Sequence, residues 1–208
     1  MSEENYENKK TFGISNELLE SKNVNLKDVI KKLSKRVEKI TSNYLANYGR
    51  EKVKAKAILI GENCISIDTH WLLTTTKLGF RGIIMGFIQE LSKNNGSKPE
   101  EPLEEQLVSN GILVTDCMKF VLSPTTYKKK VVWDEVFSEG YDAWEKSLAP
   151  KIGENITVGF AYKRVYDRFT QNEQGKKWLS DNENKISRII YYNGQTQKWN
   201  KIKVSKPQ

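Results

Sequence analysis

The sequence predicts an α+β fold: a single domain with a mixed or mostly antiparallel sheet, an N-terminal amphipathic helix and a C-terminal β-hairpin. Three observations predict it. Apolar residues recur at helical spacing between Leu26 and Tyr44, two strand–turn–strand patterns call for local antiparallel pairing, and helical and extended segments interleave along the chain. At 208 residues, 38% hydrophobic and 10% aromatic, the chain has enough apolar surface for one substantial core. The expected organisation is a flexible arm over 1–14 and one α+β domain over 15–208, with an acidic surface loop near 94–106.

The first element is the helix. Leu26, Ile30, Leu33, Val37, Ile40 and Tyr44 form one stripe, Asn25 serves as N-cap, and Gly49 ends the segment. The stripe is too short to demand a partner helix, so docking on its own domain is the favoured reading; as a short heptad pattern it could instead pair with a second copy through Leu26, Ile30, Leu33, Val37 and Ile40. Its other face carries Lys31, Lys35 and Arg36 with few acids, which marks an anion-binding surface.

A hairpin follows, in which Val53, Ala55 and Ala57 alternate with lysines and Gly61-Glu62-Asn63 turns the chain into a second β-rich run. A helix is expected from about Arg81 to Lys93, then the polar loop with Glu100, Glu101, Glu104 and Glu105, then a buried strand in "GILVTDCMKFVL". Trp133, Phe137, Tyr141, Trp144 and Leu148 step at helical spacing, and the acids flanking them make this stripe a core face rather than a ligand platform. A short helix around Gly175 to Asp181 leads to a final hairpin signalled by Asn193-Gly194.

The segment Ile156 to Phe169, "ITVGFAYKRVYDRF", reads as the fourth strand. Strand alternation places Ile156, Val158, Phe160 and Tyr162 on one face, and the phase is lost at Val165, Tyr166 and Phe169, where the basic run begins. "GFAY" resembles the centre of the RNP1 motif of RNA-recognition-motif proteins, although Val158, Lys163 and Val165 stand where the pattern has a basic, an aliphatic and an aromatic residue. The resemblance implies that Phe160 and Tyr162 project together and stack bases. "HWLLTTTKLG" resembles the strand before the catalytic histidine of chymotrypsin-like proteases, but Lys77 stands in the histidine's place and no Gly-x-Ser-Gly or Gly-x-Cys-Gly follows.

Charge is the remaining guide to function. The net charge is +8, and residues 151–208 alone hold 12 basic against 5 acidic side chains. Clustered cations gain most from a polyanion, because binding releases its counterions. The expected function is a non-catalytic nucleic-acid-binding protein, with RNA or single strands favoured, contacting its partner through Lys31, Lys35, Arg36, Lys163, Arg164, Tyr166, Arg168, Lys198, Lys201 and Lys203.

One alternative is a small viral structural, accessory or assembly protein working through the first helix. Another is a thiol-dependent hydrolase, in which Cys64 or Cys117 would act with His70 and an orienting Asp68 or Asp116. With two cysteines and one histidine in the chain, no metal site and no cofactor are expected. No run of about 18 apolar residues occurs, and the acidic, polar "MSEENYENKK" is unlike a signal peptide, so the expected location is the cytoplasm, including that of a virus-infected cell.

Overall fold

The computed structural model describes residues 13–14, 54–63, 78–92, 103–118, 121–122 and 130–202. It contains helices and a mixed five-stranded sheet. In chain order the elements are β1 (Gly13–Ile14), β2 (Ala55–Asn63), α1 (Leu78–Leu91), α2 (Leu103–Ser109), β3 (Ile112–Met118), β4 (Val121–Leu122), α3 (Lys130–Leu148), β5 (Ile152–Phe160), α4 (Lys163–Gln171), α5 (Glu173–Asp181), β6 (Ile186–Asn193) and β7 (Lys198–Ile202). The expected helix over Leu26 to Tyr44, with Lys31, Lys35, Arg36, Leu26, Ile30, Leu33, Val37 and Ile40, lies outside the described residues, as do Cys64, His70 and Lys203.

The sheet runs β3-β2-β5-β6-β7, and β1 and β4 form a separate parallel pair of two residues each. The pairings β2–β3, β2–β5 and β5–β6 are parallel, and only β6–β7 is antiparallel. Of the two arrangements expected, mixed or mostly antiparallel, the sheet is the mixed one, and its core is parallel. Parallel neighbours need long crossovers, and here helices supply each one and cover both faces.

One face packs against α3, α4 and α5 through Ile58, Ile60, Val158, Phe160 and Ile189. The other packs against α1 and α2 through Ala57, Leu59, Val114 and Ile190. Successive residues of β2 therefore alternate between two cores, which is why Ile58, Leu59 and Ile60 are all fully buried and no polar alternation is visible in that run.

The chain does not turn at Gly61-Glu62-Asn63. β2 continues to Asn63, and Gly61 is paired with Asp116 on β3. Its partners on both edges are remote in sequence, so local turn chemistry was a poor guide.

The stretch "ITVGFAYKRVYDRF" also divides. β5 ends at Phe160, and Lys163 begins α4, so the basic residues sit on a helix instead of a strand's end. On that helix Val165 and Phe169, four apart, are both buried, while Lys163 pairs with Asp167 four residues on. The loss of strand phase at Val165 was the onset of helical phase.

At the C-terminus, β6 and β7 pair with Asn193 opposite Lys198. The connection is a four-residue loop, Gly194 to Gln197, in place of a two-residue Asn-Gly turn. Asn193 acts through its side chain, accepting from the backbone N–H of Gln195 at 2.9 Å and of Thr196 at 3.4 Å, and Gln197 takes the left-handed conformation (φ 53°).

The aromatic stripe of α3 is core, as its flanking acids implied. Trp133, Phe137 and Trp144 are fully buried, and Phe137 and Trp144 lie 5.4 and 5.7 Å from Phe169 of α4. Trp144 also meets Trp178 of α5 at 5.4 Å, so one set of rings joins all three helices of that layer. On the opposite face α1 seats Phe87 directly on β5. A Cβ added at Gly159 would lie 2.3 Å from Phe87 Cε2. Gly159→Ala is therefore expected to lower stability by about 1–3 kcal/mol through overpacking. In urea unfolding the loss should shrink when Phe87→Leu is added, and an additive double mutant would refute the contact as the cause.

Candidate nucleic-acid interface

In a sheet of this order, the two central strands β2 and β5 send their connections in opposite directions: β2 leads towards β3 on one side, β5 towards β6 on the other. Such a divergence leaves a crevice at the carboxyl ends of the strands, the usual ligand position in open sheets with helices on both faces. The residues there are Gly61 and Glu62 from β2, Asp116 and Cys117 from β3, and Ala161 to Arg164 from the β5–α4 junction. The backbone N–H of Ala161 donates to Ile60 O at 2.9 Å and holds the junction against β2.

Glu62 is the centre of this group. Its side chain is 5% exposed, and an ionised carboxylate so placed needs partners. α4 provides two. Arg164 Nε donates to Glu62 Oε2 at 3.0 Å and its Nη2 lies 2.9 Å from the same oxygen, while Arg168 Nη1 donates to Oε1 at 2.7 Å. Arg164 and Arg168 reach one carboxylate because four residues make about one helical turn. The two arginines differ in exposure: the Arg168 side chain is 18% exposed and that of Arg164 is 54% exposed.

Arg164 also meets an aromatic ring. Its Cζ lies 5.0 Å from the ring centroid of Tyr162, a cation–π distance. Tyr162 is the N-cap residue of α4, in extended conformation, and its carbonyl accepts from Val165 N at 3.1 Å and Tyr166 N at 3.3 Å. The start of α4 thus brings ring and guanidinium together over the Glu62 carboxylate of β2.

Asp116 is buried on β3, in register with Gly61. A Cβ on Gly61 would sit 2.0 Å from Asp116 Oδ1, so the carboxylate occupies the space that glycine leaves. Burial, reinforced by Asp116 and then Glu62, pushes the neighbouring Cys117 thiol well above its ordinary range. A neutral buried thiol is a poor nucleophile, so the geometry gives no support to Cys117 as a catalytic residue.

The other expected contacts fall in different places. Lys163 donates to both oxygens of Asp167, at 2.8 and 2.6 Å, and that carboxylate holds its ammonium above the usual lysine range. Tyr166 is half-buried, stacked on Tyr191 at 6.2 Å with an interplanar angle of 19° and edge-on to Phe160 at 5.4 Å, and burial raises its hydroxyl pKa. Phe160 is fully buried beneath α4, so the paired projection of Phe160 and Tyr162 implied by the RNP1 resemblance is not formed.

Lys198 is exposed at the start of β7. Because β7 runs antiparallel, it lies at the same end of the sheet as the start of α4. Lys201 is exposed opposite Ile190, whose side chain faces the α1 layer, so it belongs to the other face. Sequence reading missed Glu62, taken for a turn residue, and the coupling of Tyr162 to Arg164. The signal available for Glu62 was a lone acid directly after the wholly apolar Ile58-Leu59-Ile60.

No family model, curated protein or solved structure matches this chain. Among the described residues there is no cluster of three or more His, Cys, Asp or Glu side chains able to hold a metal ion, and no helix is long and apolar enough to cross a membrane.

Glu62→Gln keeps the volume and removes the charge that faces two guanidiniums. A loss of about 1.5–3 kcal/mol is expected, the size of a charged hydrogen bond, and a variant as stable as the parent in thermal or urea unfolding would show that Glu62 is dispensable. Cys117 should resist iodoacetamide at neutral pH in the folded chain and react once urea exposes it. Mass mapping of the Cys117 peptide distinguishes it from Cys64, and rapid labelling of folded Cys117 would contradict its burial.

Proposed function

We propose that this chain binds nucleic acid, with RNA or single strands favoured, through the carboxyl end of its sheet, and does so without catalysis. The supporting observation is convergence: α4 and β7 begin at one end of the sheet, which collects Lys163, Arg164 and Lys198 from separate segments. Of these Arg164 is the principal contact, being half-exposed and held in place, while Lys163 contributes less because Asp167 offsets its charge. Arg168 supports the site indirectly by sharing Glu62 with Arg164. Tyr166 supports it by packing α4 onto β6.

Lys201 lies on the other face and adds general attraction, as would Lys31, Lys35, Arg36 and Lys203. The basic excess of residues 151–208 suits a polyanion, whose release of counterions on binding drives association. An intracellular location fits a partner of this kind. Self-association through Leu26, Ile30, Leu33, Val37 and Ile40 is a separate reading without a described contact behind it.

Fluorescence anisotropy with a labelled single-stranded oligonucleotide, titrated with salt, tests the reading. Affinity should fall steeply as salt rises, and Lys198→Gln should reduce the log–log slope by about 0.7, the value for one phosphate contact on a single strand. Binding that is indifferent to salt, or absent at physiological ionic strength, would sink it.

A further inference from the structure

Asn-Gly occurs twice among the described residues, at Asn110-Gly111 and Asn193-Gly194, and the two pairs sit in opposite surroundings. At such a dipeptide the glycine nitrogen, on losing its proton, can add to the asparagine Cγ. The tetrahedral intermediate carries its negative charge on Oδ1, and loss of Nδ2 as ammonia leaves a five-membered succinimide. Water then opens the ring at either carbonyl to give aspartate or isoaspartate. The balance is amide plus water to carboxylate plus ammonium, with no other reactant.

The β6–β7 loop favours these steps. Asn193 Oδ1 accepts from the backbone N–H of Gln195 at 2.9 Å and of Thr196 at 3.4 Å, so two donors already point at the atom on which charge develops. Gly194 is exposed, and a Cβ placed on it meets nothing within 4 Å, which leaves room for ring closure and for water. Asn110 is the contrary case. Its Nδ2 donates to Gln106 O at 2.7 Å, its Oδ1 accepts from Ser92 Oγ at 3.2 Å, and the Gly111 N–H that would have to attack donates to Val108 O at 2.9 Å. Gly111 is also buried against the Lys56 side chain.

We infer that Asn193 is a site of spontaneous deamidation in the folded chain, and that the carboxylate it gains offsets Lys198. Asn193 is the register partner of Lys198 across β6 and β7, and the Cβ atoms of directly opposite residues lie about 5 Å apart. The modification site stands on the loop geometry alone. Its consequence rests on the nucleic-acid reading and adds to it a contact that weakens as the chain ages.

The test incubates the full chain at mildly basic pH, folded and in guanidinium chloride, and follows each Asn-Gly pair by peptide mapping with mass spectrometry, which also separates Asn95-Gly96. Asn193 should convert in the folded chain at least as fast as in the unfolded one. Asn110 should convert roughly 10-fold or more slowly when folded, since three hydrogen bonds must first open locally. Slower conversion of Asn193 in the folded than in the unfolded chain, or an Asn110 that folding does not protect, overturns the inference. The converted chain, and an Asn193→Asp variant standing in for it, should bind a labelled single strand with a log–log salt slope reduced by up to about 0.7. An unchanged slope overturns the effect on Lys198. A chain that converts at Asn193 yet binds no strand overturns the nucleic-acid reading and leaves the modification site intact.

Discussion

Burial of β2 on every side from Ala57 to Ile60 is the constraint from which the rest of this structure follows. Its edges are paired by β3 and β5 and its faces are covered by two separate apolar clusters. A strand in that position must be apolar residue after residue, and its neighbours must arrive from far along the chain. Parallel pairing then requires crossovers long enough to traverse the sheet, and the helices that make them become the two outer layers.

Where β2 leaves the core, it does so with a carboxylate that is still almost wholly buried. Glu62 would be costly alone, since removing an ionised group from water without partners outweighs most single packing gains. The start of α4 therefore has to lie over the end of β2, with both arginines turned to Glu62. The ion pairs and the site are one arrangement: what neutralises Glu62 also aligns Arg164 and its ring partner Tyr162.

The aromatic layer keeps that arrangement rigid. Phe169 of α4 touches Phe137 and Trp144 of α3, Trp178 of α5 and Phe160 of β5, all between 5.4 and 6.0 Å. α4 cannot shift without disturbing rings on three other elements. A side chain mounted on such a helix holds its direction better than one on a loop.

The sequence by itself determined the elements whose partners are near in the chain or whose periodicity is strong. The helix of Trp133 to Leu148, the buried strand at Ile112 to Met118 and the buried helix residue Trp178 are of this kind, because each side chain's fate follows from local phase. The pairing of the strands was not legible in it. Gly61-Glu62-Asn63 has the composition of a turn and continues as strand, since its conformation is set by β3 on one edge and by the packing around Asp116.

Likewise "ITVGFAYKRVYDRF" shows where strand phase ends but not that a helix begins there, and its arginines could be read only as surface charge. Their partner lies 102 and 106 residues earlier. That separation is the physical reason for the division. Periodicity and capping act within a turn or two of the backbone, whereas the burial of Glu62, and with it the ion pair to Arg164, exists only once the sheet has brought remote segments together.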